Sequence, residues 1–240
     1  MDYIIGCSGF HYKHWKGDFY PADLPLKKWF EYYCQHFNSL ELNVTFYRFP
    51  TLSMLETWYT KAPDHFIFTA KAPRSITHFK KMHDTRKMTG DFYELLRNGL
   101  KEKLGCVLFQ FPPNFAYSPE HLKRIIQNLD PDFENVVEFR HKTWWAPEII
   151  AQLGGRNISF CGMSHPGFPD EIIKNTPFLY YRMHGESQLY ASNYSKKDLD
   201  TLYEKIRSMD DLQQAYIYFN NDIQGYATKN AAYLIEKAAK

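Results

Sequence analysis

Polar residues that could do chemistry recur two positions apart at the ends of five apolar segments of this sequence. They are the pairs Glu41 and Asn43, Thr69 and Lys71, Glu138 and Arg140, Arg182 and His184, and Asn220 and Asp222. Carboxylates and imidazoles transfer protons in catalysis, and guanidinium groups bind phosphate or carboxylate through paired hydrogen bonds. The set therefore predicts a site that binds an anion and moves protons.

The spacing of two also predicts how these side chains are oriented. Successive side chains point to opposite faces of a β-strand, and the residues between the members of four pairs are apolar: Leu42, Ala70, Phe139 and Met183. One face of each strand end is thus polar. A buried ion-pair network with no ligand would give the same pattern, but burying charges costs on the order of several kcal/mol per ion. We therefore favour a functional site.

Eight strand-like segments alternate with helix-like stretches along the chain. The predicted strands are Tyr3–Cys7, Ser39–Asn43, Phe66–Lys71, Cys106–Gln110, Val136–Arg140, Ile158–Cys161, Phe178–His184 and Ala215–Asn220, and the predicted helices include Leu26–His36, Leu52–Lys61, Met88–Lys103 and Asp198–Ser208. Such alternation indicates a parallel sheet. Polar ends on nearly every strand favour closure over an open, doubly wound sheet, because the carboxyl ends of barrel strands share one mouth. We expect one α/β domain over residues 1–240, a TIM-type (β/α)8 barrel, with a short helix at most between Gly162 and Pro177.

Basic side chains outnumber carboxylates in the predicted mouth. The basic residues are Lys71, Arg140 and Arg182, and the candidate catalytic residues are Glu41, Glu138 and His184, of which His184 could add further positive charge. Because positive charge is in excess, we expect the ligand to be a small molecule that carries phosphate or carboxylate. This interpretation requires no cofactor and no metal.

Other side chains near the strand ends are candidate ligand contacts. They are Asn43, Gln110, Asn220 and Asp222 at strand ends, His78, His141 and Trp144 just beyond them, and Tyr12 and Trp15 in the aromatic loop after the first strand. Aromatic rings form rigid pocket walls, and we expect this loop to fold over the mouth. Packing of Trp15 onto the barrel is the alternative.

The composition argues against several classes of protein. With 29 basic and 27 acidic residues the net charge is +2, so global charge does not favour nucleic-acid binding. No apolar run approaches the roughly 18 residues of a membrane span, and Met1–Gly6 shows no signal-peptide pattern. None of the four cysteines forms a C-x-x-C motif, which is typical of reduced, buried thiols. We expect a cytoplasmic protein that does not associate with membranes; the sequence leaves the oligomeric state open.

A series of motifs resembles those of the DUF72 (YecE-like) family, in family order. They are GCSGFHY at 6–12, WKGDFYP at 15–21, SLELNVTFYR at 39–48, ITH at 76–78, LFQFPP at 108–113, VEFRH at 137–141, YRMHG at 181–185 and YFNND at 218–222. Cys7, Phe10 and Phe111 depart from the residues common in the family, outside the charged set. The resemblance implies a TIM-type barrel and implies no particular reaction.

Two other functions remain open at this point. One is a divalent-metal enzyme of the nuclease or isomerase type, with Glu41, Glu138, His184 and Asp222 as ligands. The other is a non-catalytic protein that binds nucleic acid or an acidic metabolite, suggested by the aromatic first loop and by the basic residues at 80–81 and 86–87.

Overall fold

The computed structural model describes residues 1–239, which form nine β-strands and eight α-helices. The strands are β1 (Asp2–Ser8), β2 (Ser39–Leu42), β3 (Ile67–Lys71), β4 (Leu104–Phe111), β5 (Glu134–Phe139), β6 (Ile158–Phe160), β7 (Gly162–Ser164), β8 (Phe178–Met183) and β9 (Gln214–Phe219). The helices are α1 (Trp29–Tyr33), α2 (Val44–Tyr47), α3 (Leu52–Lys61), α4 (Arg86–Leu100), α5 (Pro119–Asn128), α6 (Pro147–Gly154), α7 (Lys196–Arg207) and α8 (Tyr226–Ala238).

The strands form a nearly closed barrel in which all neighbours are parallel. Around the barrel the order is β6-β5-β4-β3-β2-β1-β9-β8-β7. β6 and β7 are successive parts of one extended segment that is interrupted at Cys161, and the first part pairs with β5 while the second pairs with β8. The two edges of the sheet are thus joined through this segment. The structure confirms the predicted TIM-type barrel.

Side chains alternate along each strand between the barrel interior and the layer between strands and helices. Leu42, Ala70, Phe139 and Met183, which separate the polar pairs, belong to the large core cluster between strands and helices. A smaller apolar cluster fills the barrel interior below the mouth and contains Ile4, Cys106, Leu108, Val136, Cys161, Phe178, Tyr180, Tyr216 and Tyr218. The polar strand-end residues continue this inward-facing set, as the alternation predicted.

Most helix signals in the sequence lie where the helices begin and end. α3 has the predicted bounds, and the predicted helix Met88–Lys103 is α4 followed by a short 3-10 turn over Lys101–Lys103. At the start of α7, Ser195 Oγ accepts from the Asp198 amide and the Asp198 carboxylate accepts from the Ser195 amide. This capping box satisfies backbone donors that the helix itself leaves unpaired.

The connection after the sixth barrel position contains a strand that the sequence did not predict. The segment between Gly162 and Pro177 contains no helix, in agreement with the prediction of a short helix at most; it contains β7, and Met163 forms an isolated antiparallel bridge with Glu171. Together β6 and β7 carry the extended segment beyond its predicted end at Cys161, to Ser164. Gly162 explains the tight course of the chain, since a Cβ atom there would lie 2.6 Å from the Glu171 carbonyl oxygen. Among residues 1–239, no helix has the length and apolar character to cross a membrane.

Candidate functional site at the barrel mouth

Arg182, near the end of β8, is the centre of a buried ion-pair chain. Its Nη2 donates to Glu41 Oε1 at 2.6 Å, and its Nη1 donates to Glu138 Oε2 at 2.6 Å. Glu41 also accepts from Ser8 Oγ at 2.6 Å and, through its other oxygen, from the Tyr180 hydroxyl at 2.6 Å. Both oxygens of Glu41 are thus occupied, and the side chain is fully buried.

Glu138 joins Arg182 to a second guanidinium at the end of β5. Arg140 Nε donates to Glu138 Oε1 at 2.5 Å. Burial alone raises the pKa of Glu138, but the charges of Arg140 and Arg182 outweigh burial and hold this pKa well below its usual range. The carboxylate therefore stays ionised at neutral pH and fixes the orientation of both guanidinium groups.

His184, which directly follows β8, is a hydrogen-bond acceptor in this network. Arg140 Nη2 donates to His184 Nε2 at 2.8 Å, and the Asn220 side-chain amide lies 3.0 Å from Nδ1. Burial, followed by the charges of Arg140 and Arg182, lowers the pKa of His184 well below its usual value. The ring is therefore neutral, and it does not add the positive charge that the sequence suggested.

A cavity of about 310 Å³ lies above this network at the carboxyl ends of the strands. It is lined by Tyr12, Asn43, Tyr47, Lys71, Gln110, Arg140, Arg182, Tyr190, Asn220 and Asp222. The Oδ1 atom of Asn43 and the Nε atom of Arg182 are buried without a hydrogen-bond partner in the described chain. Positively charged groups thus face one concave space, and an unpaired amide oxygen of a lining residue lies buried beside it.

Lys71 enters this cavity from the last residue of β3. Its Nζ lies 4.3 Å from the centroid of the Phe46 ring, and the side chain is 8% exposed. Burial, followed by the charge of Arg182, lowers the pKa of Lys71 to about 8. The α2 helix that carries Phe46 is fixed to the same strand, because Thr45 Oγ1 donates to the Lys71 carbonyl oxygen at 2.6 Å.

Asp222, in the loop after β9, also contributes to the cavity wall. Its backbone carbonyl oxygen lies 2.7 Å from His14 Nε2 and accepts from Trp15 Nε1 at 3.2 Å, which ties the first loop to the last. Burial raises the pKa of the Asp222 carboxyl. Because its oxygens do not pair with an arginine or lysine in residues 1–239, this carboxyl differs from those of Glu41 and Glu138.

Eight of the residues predicted as ligand contacts line the cavity together. They are Tyr12, Asn43, Lys71, Gln110, Arg140, Arg182, Asn220 and Asp222. The three residues predicted as catalytic, Glu41, Glu138 and His184, lie beneath them and are fully buried. Their contacts orient the arginines, and their role in catalysis stays a prediction.

Two predicted contacts are corrected by the structure. Trp15 and Trp144 are fully buried in the outer core and have no surface for a ligand. Trp144 stacks on Phe139 with ring centroids 3.9 Å apart, and its Nε1 donates to the Phe115 carbonyl oxygen at 2.7 Å. The aromatic first loop therefore supports the wall from outside, and Tyr12 alone of its two predicted contacts lines the cavity.

The two remaining histidines lie near the cavity without lining it. His78 is on the π-helical turn Ser75–Phe79, its ring lies 4.9 Å from the Phe46 ring, and burial lowers its pKa to about 4. His141 caps a 3-10 turn, where its Nδ1 accepts from the Thr143 amide at 3.3 Å. His78 thus contacts the residue that supports Lys71, whereas His141 has a local structural contact.

Several residues of the site lacked a sequence signal or had one that was overlooked. Tyr180 lies two residues before Arg182 on the same strand face, so the alternation alone would have found it. Ser8 ends β1 in the same way. Tyr47 ends the short helix α2, and Tyr190 lies in the loop after β8. Periodicity does not predict the course of such segments, so only the tertiary structure shows that both residues line the cavity.

The geometry does not support the predicted metal ligands. The carboxylate oxygens of Glu41 and Glu138 accept from guanidinium groups, and Nε2 of His184 faces Arg140. Within residues 1–239 no three His, Cys, Asp or Glu side chains are grouped so that they could hold a metal ion. A cation at this position would also be repelled by the three basic side chains.

Comparison with known proteins identifies the family of this chain. The family model described as "Protein of unknown function DUF72" matches residues 4–240. This chain belongs to the DUF72 family. The resemblance inferred from the sequence motifs is thus confirmed.

Two solved DUF72 structures and a curated relative show the extent of the similarity. The DUF72 protein TM1631 of Thermotoga maritima superposes with a TM-score of 0.91 at 28% identity over the full length of both chains. EF0366 of Enterococcus faecalis gives 0.84 at 18% identity, over 99% of this chain and 96% of the other. The UPF0759 protein YunF of Bacillus subtilis is 23% identical, over 90% of this chain and 89% of YunF.

Proposed function

We propose that this DUF72 protein is an enzyme that binds a small anionic substrate, carrying phosphate or carboxylate, at the carboxyl-terminal mouth of its barrel. One observation carries the proposal: the guanidinium groups of Arg140 and Arg182 line the cavity and are both held by Glu138. Guanidinium groups whose orientation is fixed in advance lose little entropy when they bind a planar or tetrahedral anion.

Charge and volume both favour a small anion. Lys71, Arg140 and Arg182 face the cavity, whereas the carboxylates of Glu41 and Glu138 are already engaged below it. Asp222 is the one carboxyl among the lining residues of the described chain, against three basic side chains, so an anionic ligand would meet an excess of positive charge. The volume of about 310 Å³ lies at the lower end of the roughly 300–1,000 Å³ of small-molecule sites, so the substrate is a compact molecule with few carbon atoms.

The residues divide into those that touch the substrate and those that position others. Arg140 and Arg182 bind the anionic group, and the unpaired Oδ1 of Asn43 accepts from a substrate hydroxyl. Glu41 and Glu138 act as positioning residues for the guanidinium groups. Asp222 is the carboxyl that transfers a proton, because it lines the cavity and burial raises its pKa.

Calorimetric titration with glycerol 3-phosphate tests the anion site, with glycerol as the uncharged probe. We expect binding of the phosphate compound and none of glycerol. Substituting Arg140→Gln should weaken binding by about 10- to 100-fold, because a hydrogen bond to a charged group contributes about 1.5–3 kcal/mol. Equal binding of the two probes, or unchanged affinity in the variant, would contradict the proposal.

A matched control is Arg97→Gln. Arg97 forms ion pairs of 3.9 and 3.8 Å with Asp130 and Asp132 on the outer surface, so this variant also loses one guanidinium. Its affinity for glycerol 3-phosphate should equal that of the wild type. Melting temperatures of all variants show whether the fold is retained.

The state of the cysteines supports a cytoplasmic location for the protein. Cys7, Cys34, Cys106 and Cys161 are all buried and unpaired, and free buried thiols persist in reducing compartments. Localisation of the tagged protein by fractionation checks this assignment.

A further inference from the structure

Lys71 is held in the cavity without an acceptor for its amine. In residues 1–239 no protein oxygen accepts a hydrogen bond from its Nζ, which lies instead over the Phe46 ring. Burial, followed by the nearby positive charges of Arg182 and Arg140, lowers the pKa of Lys71 to about 8. A large fraction of this amine is neutral near pH 8, and a neutral amine binds anions poorly.

Lys103 shows how a buried lysine with a structural role is accommodated in this protein. It is 4% exposed, and its Nζ donates to the carbonyl oxygens of Tyr59 at 2.9 Å and Ala62 at 2.7 Å. These contacts fix the ammonium charge. The absence of such partners at Lys71, within the described chain, indicates that its amine serves the cavity and not the fold.

A lysine becomes a nucleophile when it is desolvated beside an apolar surface or next to another cation, and Lys71 meets both conditions. We propose that Lys71 Nζ condenses with a carbonyl carbon of the anionic substrate and forms an imine. The inference rests on the proposed anion site, since Arg140 and Arg182 would hold the substrate's charged group beside the amine. The substrate class is thus a small aldehyde or ketone that carries phosphate or carboxylate.

The atoms balance without an oxidant or reductant. The neutral amine adds to the carbonyl carbon, the nitrogen loses a proton, and the carbonyl oxygen gains one to give a carbinolamine. This hydroxyl then takes a proton and leaves as water while the C=N bond forms. The Asp222 carboxyl, in the same cavity wall, supplies that proton and takes it back when water returns. The cationic imine withdraws electrons, which favours loss of a proton or cleavage of a C–C bond next to the former carbonyl.

Reductive trapping tests the proposal on the wild-type protein. Glycolaldehyde phosphate with cyanoborohydride should label the peptide containing Lys71 at least tenfold faster than the peptides containing Lys103 or the exposed Lys87, as peptide mapping by mass spectrometry measures. Glycerol 3-phosphate should slow labelling of Lys71 only. In Lys71→Arg the rapid labelling should disappear, while labelling of the peptides containing Lys103 and Lys87 should be unchanged.

The outcomes separate this proposal from the anion site. Lys71 labelled no faster than Lys87, in protein that binds glycerol 3-phosphate, overturns the imine and leaves the anion site standing. Rapid labelling of Lys71 by glycolaldehyde at the same rate as by its phosphate supports the nucleophilic lysine and contradicts the anion site. Selective labelling that requires the phosphate group supports both.

Discussion

At the scale of single residues, the site is a chain of alternating charges. From Glu41 the contacts run through Arg182, Glu138 and Arg140 to the neutral His184. Isolated charges are unstable in a protein interior, and each of the four charged groups of this chain has a partner of opposite charge. Because the guanidinium groups have more donors than their partners use, they can bind an additional anion from the cavity.

Removal of the central carboxylate tests this chain. In Glu138→Gln, Arg140 and Arg182 lose a charged partner, and the free energy of unfolding should fall by about 3 kcal/mol. Urea denaturation at pH 7 measures the loss. Glu134→Gln, on the exposed end of the same strand, is the control and should change stability far less.

The stability that Glu138 contributes should decrease as the pH falls. The folded-state pKa of Glu138 lies well below its ordinary value of 4.5, so the unfolded chain binds the proton first as the pH falls. The stability contributed by Glu138 is complete above pH 4.5 and decreases below it, by at most about 1.4 kcal/mol per pH unit. The difference in stability between wild type and Glu138→Gln should therefore shrink below pH 4.5. A difference that stays constant down to pH 3 contradicts this.

At the scale of elements, a glycine permits the close packing of α3 against α4. α3 and α4 pack at a close approach: a Cβ atom on Gly99 would lie 2.4 Å from Cβ of Leu55, whose side chain is fully buried. Gly90, in the same helix, has no atom within 4 Å of its Cβ position. Two glycines of α4 thus have opposite roles.

Alanine substitutions should separate these roles. Gly99→Ala should lower the free energy of unfolding by about 1–3 kcal/mol, because overpacking forces the two helices apart. Gly90→Ala should raise it by up to about 1 kcal/mol, since alanine has the higher helix propensity. Urea denaturation of both variants measures the two effects. Destabilisation by Gly90→Ala, or none by Gly99→Ala, is incompatible with this packing.

At the scale of the whole molecule, charge is concentrated in the mouth and balanced elsewhere. The net charge is +2, and some basic residues outside the site have local partners, such as Lys87 with Asp91 at 2.8 Å and Lys81 with the Asn114 carbonyl oxygen at 3.3 Å. A net charge this close to zero does not favour binding of nucleic acid, which requires a basic patch or track. The charge distribution agrees with the proposed site for one small anion.

Fluorescence anisotropy with a labelled single-stranded oligonucleotide tests whether the protein binds nucleic acid. We expect no binding at about 10 μM protein in 0.15 M salt, because few phosphates can be neutralised at once. Binding of glycerol 3-phosphate should persist at that salt concentration. Tight oligonucleotide binding that falls steeply with salt would instead support the nucleic-acid alternative.

The sequence by itself determined the barrel, the polar face of its strand ends and the excess of basic residues there. These features can be deduced because side chains alternate between the two faces along each strand. Glu138 and Arg140, for example, are two residues apart and therefore lie on the same face. Only the tertiary structure decided which charges pair, because pairing depends on distances between different strands. It showed that Glu41 and Glu138 are engaged with arginines, that His184 is neutral, and that Trp15 and Trp144 are core residues. It also showed that Lys71 Nζ has no hydrogen-bond acceptor within residues 1–239.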